Sequence, residues 1–144
     1  MFRFEPKQTL QKGIDTNIYF SAYVKDVEVG YILIQNYNFK VGNVELAYQI
    51  YKPFRGHHLA TNMVKEFMEF ALKIFYIKYF DAYVRESNFE SQKVLLNNNF
   101  SQKKPQKKLL ENTDERIYFS YDIVQSKKEN PSPEDIEKVL KEIE

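Results

Sequence analysis

The chemistry readable in this chain concentrates in Tyr51–Thr61, which runs Tyr-Lys-Pro-Phe-Arg-Gly-His-His-Leu-Ala-Thr. A β-patterned run, Val44–Ile50, leads into it, and a strongly helical run, Leu59–Phe75, leaves it. A strand feeding a compact turn that opens directly into a helix suits an anion. The first-turn N–H groups of a helix lack partners and carry a partial positive charge. Pro53 fixes φ ahead of the turn, Gly56 lets the backbone come close to a ligand, and Arg55 adds a permanent cation. The same spacing also serves an ordinary strand–loop–helix connection. His57 and His58 are the only histidines, and their adjacency makes them a poor metal pair. No cysteine is present, which excludes a thiol nucleophile, disulfides and thiolate metal sites.

The elements that must position this turn follow from pattern. The chain has 144 residues, enough for one domain with one core. Met1–Phe4 reads as a short strand and Gln8–Thr16 as a polar connection. Strands are expected at Asn17–Val24 and Glu28–Gln35, joined at Lys25–Asp26, with a loop at Asn36–Asn43 before the Val44–Ile50 strand. In the helix Leu59–Phe75, Asn62, Glu66, Glu69 and Lys73 form a polar stripe. Leu59, Met63, Val64, Phe67, Phe70, Ala71 and Ile74 fill the opposite face. Tyr79–Val84 is a strand. A helix follows from a cap at Ser87 or Asn88 to about Asn97, where asparagines stop it. Strands at Phe100–Gln102 and Glu115–Val124 flank a basic loop, Lys103–Asn112. Residues 1–125 therefore read as one domain. Residues 126–144 read as a polar linker and a helix with Ile136, Val139, Leu140 and Ile143 on one stripe. That helix is too short to stand alone and needs a docking surface, on its own domain or on a second copy. The order predicts an α/β domain with a mixed sheet and helices on its faces.

A net charge of +1, from 21 basic and 20 acidic residues, argues against nucleic acid and membrane surfaces as partners. Lys103, Lys104, Lys107 and Lys108 flank Pro105, but without interleaved aromatics they read as a solvated loop. Aromatics make up 16% of the chain, with 11 Tyr and 12 Phe, and most Phe fall at inward positions. No leader and no long apolar run is evident, so a soluble cytoplasmic protein is expected.

The ordered residues resemble the GNAT superfamily of acetyltransferases. Arg55-Gly56-His57-His58-Leu59-Ala60 is similar to the family's phosphate loop, matching at Arg55 and Ala60, with His58 in place of a glycine. Asn88-x-x-Ser91, running on to Leu95-Leu96 and Asn99-Phe100, is similar to its second signature, with Asn99 in place of a glycine. Together they look most like the branch that acetylates ribosomal-protein N-termini (the RimJ/RimL type). The resemblance spans Asn17–Val124. It implies transfer of an acetyl group from acetyl-CoA to a primary amine, direct and without metal. Gln49, Ile50 and Tyr51 would line the pantetheine arm, and Arg55, Gly56, His57, His58, Leu59 and Ala60 would hold the pyrophosphate. Asn88 would hydrogen-bond the pantetheine.

The resemblance also names catalytic candidates. Glu45 is the general base and Ser91 the proton donor to the departing thiolate, with Tyr48, Tyr83, Tyr118 and Tyr121 as alternatives. The tyrosine that many members use as the acid falls at Leu95. The two helices that usually wall the acceptor site, between the first two strands, are absent or reduced here. These departures keep a second reading open, a CoA-binding or protein-interaction module without catalysis.

Overall fold

In a computed structural model, residues 1–12, 15–103, 116–123 and 133–143 are described. Seven strands form one mixed sheet in the order β1-β2-β3-β4-β5-β7-β6. They are β1 (Phe2–Lys12), β2 (Asp15–Val24), β3 (Val27–Asn38), β4 (Asn43–Ile50), β5 (Tyr79–Arg85), β6 (Ser101–Lys103) and β7 (Arg116–Asp122). Helix α1 (Leu59–Ile74) joins β4 to β5, α2 (Phe89–Asn97) joins β5 to β6, and α3 (Pro133–Ile143) follows β7. Every pairing is antiparallel except that of β4 with β5. The expected mixed sheet is therefore present, with its one parallel pair at the βαβ unit formed by β4, α1 and β5.

The N-terminal segment differs from expectation. Gln8–Thr16 is not a connection. β1 runs on to Lys12 and pairs with β2 from Phe2↔Val24 to Lys12↔Asp15. Its outer half is exposed on both faces, so no apolar alternation marks it, and backbone pairing alone defines it. Two residues separate β1 from β2, which leaves no room for helices there. Likewise β3 continues through Asn36–Asn38, where a loop was expected, because Asn38 still pairs with Asn43. The loops at Lys103–Asn112 and Ser126–Ser132 lie outside the described residues, apart from Lys103 at the end of β6.

Helix α1 buries Met63, Val64, Phe67, Met68 and Ala71 against the sheet. Phe67 is fully buried and meets Phe4, Phe20 and Phe70 at ring-centroid distances of 5.0, 5.2 and 5.8 Å. Ile74 is 57% exposed, because the helix ends there and Phe75 is already extended. Phe100 is buried just before β6. The apolar stripe of α3 (Ile136, Val139, Leu140 and Ile143) is exposed.

Candidate active site

The site starts from a defect in the sheet. β4 and β5 pair only at Asn43↔Tyr79, Val44↔Phe80 and Glu45↔Asp81, and then part. Beyond that point the facing edges of Leu46–Ile50 and Ala82–Arg85 have no strand between them. A cavity of about 360 Å³ occupies the gap. Its walls include Leu46, Tyr48 and Ser91 together with Glu45, Tyr83 and Arg85. Side chains alternate across a strand, and both parities are represented. The cavity therefore draws its walls from residues of both faces of the sheet, the one covered by α1 and α2 and the opposite one.

On one side, beyond the walls of the cavity, β4 ends and the chain makes a 3₁₀ turn at Lys52–Phe54 with Pro53 in its first positions. Arg55 Nε donates to the Ile50 carbonyl at 2.9 Å, which ties the turn to the strand it leaves and uses one of five guanidinium donors. Gly56 has φ +84° and open space where a Cβ would stand. His58, at the cap of α1, is left-handed with φ 59°. Its side chain makes no cap hydrogen bond, and no acidic residue stands in the first turn. Both imidazoles are exposed. The first-turn amides are thus not capped by the protein's own side chains, an arrangement suited to an anion. Leu59 and Ala60 open the helix, half-buried.

On the other side, Asn88 caps α2, its Oδ1 accepting from the Ser91 N–H at 3.1 Å. The cap needs only the oxygen, so the amide nitrogen stays available for a ligand carbonyl. Of the two possible caps, Asn88 and not Ser87 fills the role. Asn98 and Asn99 end the helix, Asn99 with φ 66°. Leu95 is fully buried in the core and does not wall the opening.

Between the two sides lies a contact that sequence reasoning left unplaced. Tyr48 Oη and Ser91 Oγ are 2.7 Å apart, and either can donate. The Tyr48 hydroxyl also donates to the Ser91 carbonyl at 3.3 Å. Burial pushes the Tyr48 phenol up to about 12, with the bond to Ser91 working against that rise. Strand alternation put Tyr48 on the helix side. No local signal could report that it reaches a serine 43 positions away.

Glu45 stands where β4 and β5 part, and its Oε2 accepts from Asn36 Nδ2 at 3.2 Å. Glu45, Ser91 and Asn88 are therefore brought to one opening. Gln49, Ile50 and Tyr51 are not among its walls; Leu46, Ala47 and Tyr48 take that place. Gln49 accepts from the Tyr31 hydroxyl, the Ile50 carbonyl is held by Arg55, and the Tyr51 N–H donates to the Val29 carbonyl. Among the other tyrosines, Tyr83 walls the opening and stacks on Tyr118, while Tyr121 packs on Phe100. Among the described residues no group of three or more His, Cys, Asp or Glu could hold a metal ion.

A family model described as an acetyltransferase (GNAT) domain matches residues 3–101, more than half of the chain. No curated protein sequence matches. Among solved structures, the chain is similar to RimL, a ribosomal L7/L12 alpha-N-protein acetyltransferase in complex with coenzyme A. The TM-score is 0.65 at 14% identity, covering 74% of this chain and 62% of that one. The N-acetyltransferase PseH of Campylobacter jejuni, in complex with acetyl coenzyme A, gives a TM-score of 0.62 at 19% identity, covering 74% of this chain and 68% of that one. The microcin C7 self-immunity acetyltransferase MccE, in complex with acetyl-CoA and AMP, gives 0.63 at 15%, covering 74% and 61%. At these identities the likeness is one of fold.

Proposed function

The chain belongs to the GNAT acetyltransferase family, and from that premise we propose that it moves an acetyl group from acetyl-CoA directly to a primary amine. The observation that carries this reading is the opening between β4 and β5, walled from both faces of the sheet. It suits a donor and an acceptor that meet from opposite faces, so no covalent enzyme intermediate is needed.

Main-chain amides of Gly56–Ala60 hold the pyrophosphate, with His57 and His58 alongside, and Arg55 pairs with a phosphate oxygen. The pantetheine arm runs down the unpaired edge of β4, past Gln49, Ile50 and Tyr51, where the Asn88 amide nitrogen meets it. The thioester then lies near Leu46–Tyr48. On the other face Glu45 takes a proton from the amine, directly or through water, since an alkyl ammonium with a pKa near 10.4 is not nucleophilic. Glu45 passes that proton to solvent. The neutral nitrogen bonds to the thioester carbon and gives its second surplus proton to Glu45 or to water, while the C–S bond breaks and the electron pair leaves on sulfur.

Tyr48 and Ser91 stabilise that sulfur. A thiol has a pKa of about 8.5, whereas Tyr48 stands at about 12. Full transfer from the phenol is therefore uphill by about 5 kcal/mol, so Tyr48 acts as a hydrogen-bond donor to the thiolate. Ser91 fixes the phenol and supplies a second hydroxyl. The Tyr48–Ser91 pair supports catalysis over a silent binding module, because it offers a hydrogen-bond donor at the opening, which Leu95 cannot.

The direct test is release of CoA thiol from acetyl-CoA against a panel of amines that includes peptides with free N-termini. Amine-dependent release is expected. Saturable acetyl-CoA binding with no release from any amine would leave only the binding module.

In the same reading residues 1–125 are the catalytic domain in a cytoplasmic setting, and the exposed stripe of α3 pairs with a second copy. Removing residues 126–144 then turns a dimer into a monomer in solution, and an unchanged oligomeric state removes the pairing. Among the described residues no helix is long and apolar enough to cross a membrane.

A further inference from the structure

The face of the sheet opposite α1 and α2 carries a graded ladder beside the opening. Cross-strand partners of β5 and β7 on this face are Asp81 with Ser120, Tyr83 with Tyr118, and Arg85 with Arg116. At the first rung Asp81 is buried, its Oδ1 accepting from the Tyr118 hydroxyl at 2.9 Å and the Ser120 hydroxyl at 2.8 Å. Glu45 of β4 is its register partner. Asn43 donates to Asp81 Oδ2 at 3.4 Å, while the Asn43 Oδ1 is buried without a hydrogen-bond partner. This end holds two carboxylates, of which Glu45 walls the opening and Asp81 lies buried behind it, a setting that favours a cationic donor at Glu45.

Two residues along, the Tyr83 and Tyr118 rings stack with centroids 5.1 Å apart at an interplanar angle of 15°. Burial first, and then the charges of Glu45 and Asp81, raise the Tyr83 pKa above its ordinary value, so the field of the acids reaches this ring. Two residues further, Arg85 and Arg116 face each other, both exposed. Like charges directly opposite on adjacent strands destabilise a sheet. Neither guanidinium has a carboxylate partner among the described residues. Both wall the opening, as do Glu45 and Tyr83. An anion between the two guanidinium groups removes the repulsion and can be held by both. At about 3.4 Å per residue, acids and arginines stand roughly 14 Å apart along β5.

We propose that the acceptor is a dipolar amine, with its nitrogen at Glu45 in the field of the buried Asp81, a flat or apolar middle against Tyr83, and an anionic group between Arg85 and Arg116. This rests on the acetyl-transfer reading and names the substrate class of that same site. Plain alkyl amines satisfy only the first contact.

A matched pair of probes tests it: tyramine and O-phosphotyramine, which differ only in the phosphate at the far end of the ring. With acetyl-CoA fixed, thiol release should give a kcat/KM at least about tenfold higher for the phosphorylated amine, the scale of a charge-assisted contact. In an R85A/R116A double variant that preference should collapse to near parity. Titration of O-phosphotyramine into the CoA-saturated protein should show uptake that the double variant weakens by a similar factor. Acetyl-CoA uptake, titrated separately, tells the two levels apart. Uptake with equal handling of the two amines, or a preference that survives in the double variant, overturns the inference and leaves acetyl transfer standing. Absence of acetyl-CoA uptake overturns both.

Discussion

Tyr48 departs from a solvated phenol because it is half-sunk between β4 and α2, against Ser91. Its hydroxyl stays protonated throughout the range where an amine acceptor becomes neutral, so it can donate to sulfur at every working pH. Replacing it by phenylalanine keeps the ring and removes the donor. The expected loss in kcat is about 10- to 100-fold, toward the lower end of what one oxyanion-type donor supplies elsewhere, with little change in the KM for acetyl-CoA. Initial rates at saturating amine measure it. The same shift acts on stability. The folded-state pKa of Tyr48, and that of Tyr118, is raised from 10.0 to about 12, both chiefly by burial. A raised pKa means that the folded state holds the proton more tightly than the unfolded chain. That stabilisation is fully present below pH 10 and is lost as the pH climbs toward 12. Denaturant midpoints should therefore be level up to about pH 10 and fall above it, and the fall should be shallower in Y48F and Y118F.

The turn between β4 and α1 concentrates two left-handed residues, Gly56 and His58, within three positions. Only the glycine is suited to that conformation, so His58 is held there by its surroundings. If backbone amides do the binding, the imidazole is dispensable while the Arg55 charge is not. His58→Gly should keep acetyl-CoA affinity within about threefold and relieve strain, and Arg55→Ala should weaken it roughly tenfold, both read by calorimetry. This turn was legible in the sequence because proline, arginine and glycine each carry a local signal. Helix α1 was legible for a similar reason, since its stripe repeats with the helical period. The outer half of β1 was not, because an exposed edge strand buries neither face and leaves no pattern to read. The extension of β3 through Asn36–Asn38 was hidden differently, because two asparagines around a single buried tyrosine read as a loop. The Tyr48–Ser91 contact and the parting of β4 from β5 were beyond reach for another reason. Both depend on which segments end up adjacent in the sheet, a tertiary fact without a local signature.

As a whole the molecule is a sheet covered on one face by α1 and α2, with two residues between β1 and β2. Among the described residues the opposite face carries the acid–tyrosine–arginine ladder, and Glu45, Tyr83, Arg85 and Arg116 of that face wall the opening. In the proposed reading a CoA ester enters from one side and a dipolar amine from the other. Everything turns on whether the gap walled by Tyr48 and Ser91 takes the thioester arm. The most direct check is calorimetric titration of acetyl-CoA into the native protein and into a Ser91→Trp variant whose folding is verified by thermal melting. Uptake of one equivalent by the native protein, abolished in the melting-competent variant, is the predicted result. No uptake by the native protein, or undiminished uptake by the tryptophan variant, would contradict the account.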